Sequence, residues 1–349
     1  MSTISLCMIV RNEEKNIERC LKSAAKLADE IIVVDTGSED RTKAICKKHK
    51  VKLFDFAWED DFATARNFAV EKASCDWVMW LDADEELQIK DKKAFKKLLQ
   101  KEKKDLIPVI MIHYYGEYPA DKSRAYKNSA CRLFRNKSGI CFSGKIHERL
   151  AGDDLIERIS EEEQDYIRIL HYGYMDDVIK HKSDRNREML LKEREEQPEN
   201  AWVQYHLAVE YYHTKAYAEA YGLVNLAILQ FLKEELLPPA IVYKLKYDIL
   251  LAAEDYETVA QSIEKAIELY PDYVDLYYDK GMAQFALGEY EQAKSTFLHC
   301  LILGEDDLRY LIVVGAGSFL ALKYIGRCHE MLQEKEQAQE AYRQAELLL

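Results

Sequence analysis

Residues 76–86 read Asp-Trp-Val-Met-Trp-Leu-Asp-Ala-Asp-Glu-Glu, an apolar run that ends in a cluster of acids. The run predicts a buried strand over residues 76–81, so the acids follow its carboxyl end, where open α/β sheets bind their ligands. Two-residue alternation would place Asp82 and Asp84 on one side, and a hard divalent cation carrying a diphosphate would relieve the repulsion between them. The alternative interpretation is an acidic turn without a ligand.

Strand and helix patterns alternate ahead of this run. Apolar runs predict strands over Ile4–Val10, Glu30–Asp35 and residues 51–56, and helical spacing follows each of them, beginning after residue 12 and covering 41–49 and 63–72. Short strand–helix units of this kind predict a parallel α/β sheet. Residues 105–175 are less regular, with strands predicted over 107–115, 130–134 and 167–174, and a charged helix is predicted over 180–196.

The C-terminal residues repeat a helical pattern. Small or apolar residues recur in similar contexts at Ala220, Val259, Ala293 and Ala338, and the interval from Val259 to Ala293 is 34 residues, the tetratricopeptide period. The other two intervals, 39 and 45 residues, indicate insertions. The pattern predicts paired helices that stack into a solenoid with a concave surface. A generic helical bundle is the alternative.

Charge is unevenly distributed along the chain. Residues 200–349 carry 12 basic and 23 acidic side chains, which accounts for most of the net charge of −13, whereas residues 1–110 carry 21 of each. An acidic surface repels phosphates, so nucleic acid is excluded as a partner of the C-terminal part. That surface would suit a basic peptide, although an ordinary acidic helical surface explains the composition equally well.

Cysteine usage and hydropathy bear on the cellular compartment. The eight cysteines form no Cys-x-x-Cys pair and mostly lie among apolar neighbours, as reduced core residues of a cytoplasmic protein do. Arg11 and Asn12 come too early for a signal peptide. The apolar runs are far shorter than the roughly 20 residues that a membrane span needs. We therefore expect a soluble, cytoplasmic protein without a membrane span.

Five blocks of sequence, taken in order, resemble the family 2 glycosyltransferases of the GT-A type. They are residues 5–14, 20–23, 29–42, 65–69 and 76–85, and the resemblance covers residues 1–90 well and continues more loosely to about 175. With the helical repeats, the chain is similar to tetratricopeptide-bearing glycosyltransferases, a group that resembles bacterial enzymes that modify peptides or surface polymers.

The resemblance implies an α/β fold class in two parts. An N-terminal GT-A (Rossmann-like) domain that binds a nucleotide-sugar would span residues 1–177. A helical linker would follow over 178–199, and an all-α tetratricopeptide solenoid of about four repeats would occupy 200–349.

The resemblance also implies which residues bind the donor. Val10, Arg11 and Glu13 would contact the nucleotide, and Asp35 would accept hydrogen bonds from the base or ribose, unless it only caps its turn. Arg66 would neutralise phosphate or pair with Asp82, and Asn67 would hold the nucleotide-sugar. Asp82 would bind ribose or sugar hydroxyls.

For the chemistry, the resemblance implies a metal ligand and a base. Asp84 would bind Mg²⁺ or Mn²⁺, with His171 preferred over His147 as a distant second ligand and a structural role for His171 as the alternative. Family 2 enzymes are expected to invert the anomeric centre, and Glu148 would be the base that deprotonates the acceptor. Otherwise Glu148 is a surface acid paired with Arg149 or Lys145.

The expected activity is therefore hexosyl transfer from a nucleotide-sugar, preferably a UDP-sugar, to a peptide or protein acceptor held by the repeats. The alternatives are transfer to a glycan or lipid-linked acceptor, and a tetratricopeptide scaffold with a vestigial nucleotide-binding domain. A homodimer is left open. A nucleotidyltransferase is disfavoured because a Gly-rich basic loop does not follow the first strand.

Overall fold

A computed structural model describes residues 1–117, 119–121, 123–150 and 166–349. The chain divides into two compact units. The first comprises residues 1–120 and 127–178, and the second comprises residues 121–126 and 179–349.

The first unit begins with four parallel strands in the order β3-β2-β1-β4. These are β1 (Ile4–Val10), β2 (Glu30–Asp35), β3 (Lys52–Asp55) and β4 (Trp77–Trp80). The helices between them are α1 (Ile17–Ala24), α2 (Thr42–Cys46) and α3 (Phe62–Glu71). The predicted alternation of strands and helices is confirmed, and β1 and β2 have the predicted bounds.

The rest of the sheet is mixed, whereas the strand–helix pattern predicted a parallel sheet. It contains β5 (Glu85–Ile89), β6 (Leu106–Gly116), β7 (Ala125–Arg135) and β10 (Ile167–Met175) in the order β7-β6-β10-β5 after β4. Strand β7 is antiparallel to β4, β10 is parallel to β6, and β5 is antiparallel to β10. Strand β5 and helix α4 (Lys92–Lys101) were not predicted, because acids and lysines interrupt their apolar periodicity.

Apolar side chains cover both faces of this sheet. Alternate residues of β1, such as Leu6 and Met8, pack on one face with Leu21 of α1 and Phe95 of α4. Cys7 points to the opposite face, where α3 and the short strand pair β8 (Phe142–Ser143) and β9 (Arg149–Leu150) pack. Burial on both faces explains why the first strands are apolar runs rather than alternating sequences.

The acids of the opening stretch lie on a turn rather than on the strand. Strand β4 ends at Trp80, and the backbone N–H of Glu85 donates to the carbonyl of Asp82 at 3.0 Å, which closes a turn over residues 82–85. The alternation argument for Asp82 and Asp84 is therefore wrong, although both acids follow the strand's carboxyl end as predicted. Helix α1 likewise begins at Ile17 rather than directly after residue 12, where Asn12 has a φ of +56°, outside the helical region.

The second unit is helical in its described part. After α5 (Asp176–Glu196), helices follow in four pairs: α6 (Ala201–His213) with α7 (Tyr217–Lys233), α8 (Ala240–Ala252) with α9 (Tyr256–Leu269), α10 (Val274–Ala286) with α11 (Tyr290–Leu303), and α12 (Phe319–Met331) with α13 (Lys335–Leu347). A short strand, β11 (Ile312–Val313), lies in the connection between the last two pairs. Small buried residues such as Ala266 and Ala293 lie where the helices meet, as the repeat pattern predicted.

Hydropathy agrees with the prediction on membrane spans. Among the described residues, no helix combines the length and the apolar character that crossing a bilayer requires.

Candidate active site

The loops that follow β1 and β2 are bonded to each other at the carboxyl edge of the sheet. The backbone N–H of Asn12 donates to Ser38 Oγ at 3.0 Å, and that of Glu13 donates to Thr42 Oγ1 at 2.8 Å. Val10 is buried at the end of β1, whereas Arg11 is exposed. The two loops therefore form one hydrogen-bonded rim, and Arg11 is an exposed cationic side chain on it.

Asp35 is fully buried at the end of β2, and its two carboxylate oxygens have different surroundings. Oδ1 accepts from the backbone N–H groups of Gly37 at 3.0 Å and Ser38 at 2.8 Å, and Lys43 Nζ lies 3.6 Å away. Oδ2 is buried without a hydrogen-bond partner among the described residues. Asp35 thus caps its turn with one oxygen, and the other is a buried acceptor, which costs about 1–3 kcal/mol when it has no partner.

Arg66 joins two of the predicted acids. It projects from α3, its NH2 group donates to Asp82 Oδ1 at 2.8 Å, and its Nε donates to Glu148 Oε1. The guanidinium is 7% exposed and also stacks on the Trp80 ring at 4.4 Å. Burial alone would raise the pKa of Asp82, but Arg66 and Arg132 outweigh that effect and hold its pKa well below the ordinary value. Asp82 is therefore fixed as a carboxylate.

Glu148 is paired with Arg66. The alternative prediction for Glu148 was a surface acid paired with Arg149 or Lys145, and the structure gives it a different partner. The carboxylate side chain is 9% exposed and lies against a buried guanidinium. The sequence leaves two roles for Arg66, which are neutralising phosphate and pairing with Asp82. In the structure its contacts are with Asp82 and Glu148, so of the two predicted roles the geometry supports the pairing with Asp82.

Glu85 was missed by the sequence analysis. It is fully buried, accepts a two-pronged hydrogen bond from Arg132 at 2.8 and 3.2 Å, and accepts from the backbone N–H of Asp82 at 2.8 Å. Burial raises the pKa of Glu85, and the pair with Arg132 opposes that rise. The Arg132 guanidinium also stacks on the Trp80 ring, with its Cζ atom 3.6 Å from the ring centre. This pair fixes the turn that presents Asp82.

Asn67 is occupied by the protein backbone. Its Nδ2 donates to the carbonyl of Phe142 at 2.9 Å, and its Oδ1 accepts from the N–H of Phe142 at 2.8 Å. The amide therefore anchors strand β8 to helix α3. The predicted contact between Asn67 and the nucleotide-sugar stays a prediction, and the geometry gives this side chain a structural role.

Asp84 faces His171 across the sheet edge. Asp84 is 2% exposed, and its Oδ1 lies 3.8 Å from His171 Nε2. Gly173 makes this approach feasible, because a Cβ atom there would lie 2.3 Å from His171 Nε2 and 2.7 Å from Asp84 Oδ2. The structure thus brings together the two residues predicted as metal ligands. His147, the other candidate, has a φ of +52° in the loop before β9.

His171 is in turn bonded to a second buried histidine. His113 Nδ1 lies 2.9 Å from His171 Nδ1, and His113 Nε2 lies 2.9 Å from Asn128 Oδ1. Burial, followed by the proximity of His171, lowers the pKa of His113 to about 3, so this ring is neutral at physiological pH. His113 and Asn128 were also missed by the sequence analysis.

The donor atoms fit a divalent cation that is shared with a ligand. In the described ranges, no group of three or more His, Cys, Asp or Glu side chains is arranged to hold a metal. Two atoms that each lie about 2.1 Å from one ion are about 3.0–3.7 Å apart, close to the 3.8 Å between Asp84 and His171. Mg²⁺ is commonly held by one or two carboxylates together with phosphate oxygens, so the pair suits an ion that arrives with a diphosphate.

The missed residues left only weak signals in the sequence. Arg132 interrupts the otherwise apolar run 130–134, and a charged residue in a predicted core strand calls for a buried partner. The structure supplies that partner as Glu85, the last residue of the turn that follows β4. His113 gave no such signal, because a histidine in a long strand is usual in a structural role.

Comparison with known proteins gives matches for both parts of the chain. Residues 5–149 match the family described as Glycosyl transferase family 2, and residues 250–311 match a tetratricopeptide repeat family. A TPR repeat-containing protein of Synechococcus elongatus is 32% identical over 84% of this chain and 75% of its own length. The SPbeta prophage-derived glycosyltransferase SunS of Bacillus subtilis is 29% identical over 57% of this chain and 46% of its own length.

Solved structures resemble the chain more distantly. One described as the crystal structure of MamA is 17% identical and superposes with a TM-score of 0.40, over 48% of this chain and 88% of that one. The chain spans about half the length of SunS, and three quarters of the cyanobacterial relative.

Proposed function

We propose that this glycosyltransferase, which carries a family 2 domain over residues 5–149 and tetratricopeptide repeats towards its C-terminus, is a metal-dependent, inverting enzyme that uses a nucleotide-sugar. The observation that carries the proposal is the approach of Asp84 Oδ1 to His171 Nε2 at 3.8 Å, beside the Asp82–Arg66–Glu148 network. The acceptor is a peptide or protein bound by the repeats.

The nucleotide lies against the rim formed by the loops after β1 and β2. Asp35 Oδ2, buried and unpartnered among the described residues, accepts a hydrogen bond from the base or ribose. Arg11 is exposed on the same rim and attracts the negative charge of the donor. Val10 and Glu13 shape the floor and edge of this site. UDP is the preferred nucleotide, on the basis of the family resemblance.

Asp84 and His171 hold a divalent cation, Mg²⁺ or Mn²⁺, together with the donor's phosphate oxygens. When bound, the ion neutralises charge on the leaving diphosphate. Asp82, kept ionised by Arg66 and Arg132, accepts hydrogen bonds from ribose or sugar hydroxyls and orients the sugar. The separate environments of the two acids support separate roles, since Asp84 faces a histidine and Asp82 faces a guanidinium.

Glu148 is the base that takes the proton from the acceptor as it attacks the anomeric carbon. The support is its position, because Arg66 joins it directly to Asp82, the residue that orients the sugar. Arg66 also fixes the position of this carboxylate, because its Nε donates a hydrogen bond to Glu148 Oε1. Inversion follows from a single displacement in which the acceptor enters opposite the leaving diphosphate.

The acceptor is a basic peptide or protein segment. Residues 200–349 carry 12 basic and 23 acidic side chains, so their surface attracts positive charge. Stacked helix pairs supply extended concave surfaces, which tetratricopeptide proteins use for peptides. Charge and shape together favour a polypeptide acceptor over a lipid-linked one.

The proposal is tested by nucleotide-sugar binding and turnover, measured with and without Mn²⁺. A ligand at 100 times its Kd stabilises the native state by about 2.7 kcal/mol, so a UDP-sugar should raise the unfolding midpoint, and more so with Mn²⁺. Asp84→Asn should remove the Mn²⁺-dependent part of the shift and reduce donor hydrolysis more than tenfold, which is a barrier increase above about 1.4 kcal/mol.

Glu71→Gln is the matched control, since this exposed acid ends the same helix α3 that carries Arg66. It should behave as the unmodified protein does. The proposed metal role is wrong if Asp84→Asn keeps more than about a tenth of the activity. A screen in which no nucleotide-sugar shifts the midpoint would count against the proposed donor class as a whole.

A further inference from the structure

We infer that Asn128 and His113 are positioning residues that fix the tautomer of His171, so that His171 Nε2 presents its lone pair towards Asp84. The inference rests on the proposed function for its purpose, because only a metal ligand needs that lone pair. Its structural content, the location of two protons, does not depend on any metal.

The three side chains form a row across three adjacent strands. Asn128 lies on β7, His113 on β6 and His171 on β10, and these strands are neighbours in the sheet. His113 and His171 are direct partners in the parallel register of β6 and β10. The contacts run from Asn128 Oδ1 to His113 Nε2 and from His113 Nδ1 to His171 Nδ1, each 2.9 Å long.

The proton positions follow from what each atom can do. A carbonyl oxygen only accepts, so His113 Nε2 must carry the hydrogen that points at Asn128 Oδ1. A neutral imidazole has one N–H, which leaves a lone pair on His113 Nδ1. His171 Nδ1 then donates to that lone pair, and its Nε2 is left as an acceptor. Two imidazolium rings in contact at 2.9 Å would repel each other, so at most one ring is charged, and when both rings are neutral these contacts allow only this pair of tautomers.

The same arrangement fixes the orientation of both rings. Tyr174 packs edge-on against His171 at 5.0 Å and against His113 at 5.5 Å between ring centres. The His113 and His171 rings are themselves nearly perpendicular, at 85°. A ring flip of His171 would exchange a hydrogen-bonded nitrogen for a carbon, so the row resists it. Metal-bound histidines typically use such a partner to set tautomer and orientation.

The geometry on the other side of His171 agrees with this role. Its Nε2 is 3.8 Å from Asp84 Oδ1, beyond the range of about 2.7–3.2 Å for an N–H···O hydrogen bond. The Asp84 Oδ1 atom at this distance therefore does not itself hold a proton on His171 Nε2. A lone pair on His171 Nε2 and the Asp84 Oδ1 atom are instead spaced so that both could bind one metal ion.

The tautomers can be read directly by NMR on the full chain, without metal or substrate. The protein contains nine histidines, and long-range ¹H–¹⁵N correlations on ¹⁵N-histidine-labelled protein distinguish Nδ1–H from Nε2–H. His113→Asn and His171→Asn assign the two spin systems. The inference expects His113 as Nε2–H and His171 as Nδ1–H. Finding His171 as Nε2–H would overturn it.

Metal affinity gives the second readout, measured by EPR of Mn²⁺ with UDP present. In His113→Phe the acceptor for His171 Nδ1–H is lost, and Mn²⁺ should bind about 10–100-fold more weakly, as expected for loss of an outer partner. In His113→Asn the Oδ1 atom can take the place of Nδ1, so affinity should stay within about threefold. If His113→Phe does not fold, the same comparison is made at Asn128. Asn128→Leu removes the acceptor for His113 Nε2–H and should weaken Mn²⁺ binding, whereas Asn128→Asp keeps an acceptor oxygen and should not.

The outcomes separate this inference from the proposed function. If the unmodified protein with UDP binds no Mn²⁺, the proposed metal role fails, and the NMR tautomers alone decide the inference. If His171→Ala loses Mn²⁺ but the His113→Phe and Asn128→Leu variants keep full affinity, the positioning role is overturned while the metal site stands.

Discussion

Gly173 controls the approach of Asp84 to His171, and it offers the sharpest single-residue test. An alanine Cβ would lie 2.3 Å from His171 Nε2 and 2.7 Å from Asp84 Oδ2, so one or both side chains must move. We expect Gly173→Ala to weaken Mn²⁺ binding in the presence of UDP at least tenfold. Overpacking of this kind costs about 1–3 kcal/mol, so the protein should remain folded. Mn²⁺ titration and thermal unfolding measure the two effects.

Gly222→Ala is the control for this substitution. Gly222 lies inside helix α7, and a Cβ there would meet nothing within 4 Å. Alanine is preferred over glycine inside helices by about 0.5–1 kcal/mol, so this variant should be slightly more stable and bind Mn²⁺ normally. If both glycine variants bind Mn²⁺ like the unmodified protein, the Asp84–His171 pair does not hold the ion.

For single residues, the sequence predicts which side chains lie near a strand end better than it predicts which other side chains contact them. Asp35, Asp82 and Asp84 follow predicted strands, and the structure places them at the carboxyl ends. The burial of Arg66 was not predictable, because Trp80 and Glu148 reach it from distant parts of the chain. His113 escaped notice for the same reason, since its neighbour His171 is brought beside it only by the register of two strands.

Helices α8 and α10 of the repeats enclose a buried charged cluster that makes stability depend on pH. Lys244 Nζ lies 3.3 Å from Asp279 and 3.9 Å from Asp275, and Asp275 also accepts from the N–H of Val313 at 3.0 Å. Burial raises the pKa of Asp275 from 3.8 to about 7, against the attraction of Lys244. The other charged or titratable groups that face Asp275 lie on neighbouring elements: Asp248, Tyr273 and Glu305.

The sign of the effect follows from proton uptake. Between pH 3.8 and about 7 the native state holds a proton on Asp275 that the unfolded chain releases, so this contribution to the free energy of unfolding falls as pH rises through that window. Asp275→Asn keeps an oxygen for Val313 and removes the titration. We therefore expect the unmodified protein to lose stability relative to Asp275→Asn as the pH rises from about 4 to about 7, as measured by denaturant unfolding.

Asp306→Asn is the control for the cluster, because Asp306 is exposed in the loop after α11. Its unfolding free energy should run parallel to that of the unmodified protein over the same pH range. A stability difference between the unmodified protein and Asp275→Asn that does not change with pH would contradict the assigned titration.

Among the elements, the first four strands were predictable and the remainder of the sheet was only partly so. Burial on both faces makes a strand into a continuous apolar run, which identifies β1, β2 and β4. Strand direction depends on the connections and on the twist of the sheet rather than on composition. Strand β7 is antiparallel to β4, and β10 lies between β6 and β5. No local sequence pattern predicts this strand direction or this strand order.

Across the whole molecule, the thiols offer a test that needs no ligand. All eight cysteines are free, Cys141 is exposed, Cys75 is partly exposed, and the other six are buried. Burial also raises the pKa of Cys46 and Cys328 to about 11, so these thiols are poor nucleophiles at neutral pH. We expect a thiol reagent to modify one cysteine quickly in the native protein and all eight in denaturant.

Cys141→Ser should abolish the fast reaction and leave the slow ones unchanged. Several rapid thiols in the native protein would show that its core is more open than described. The two-part architecture behind this prediction was visible in the sequence, because the strand–helix pattern gives way to a 34-residue helical repeat. The division of residues 121–126 from the strands around them was not, since it depends on contacts in space.

Strand β10 lies between β6 and β5 in the sheet but is translated after both of them. The two sides of the Asp84–His171 pair are therefore synthesised at different times. Asp84 leaves the ribosome 87 residues ahead of His171. At about 5–20 residues per second, the two are separated by about 4–17 s. During that interval the nascent chain has the strands that precede Asp35 and Asp82 but lacks the ring that faces Asp84. We therefore expect the nascent polypeptide to have no catalytic activity until β10 has joined the sheet. Activity would then begin only after most of the first unit has been translated.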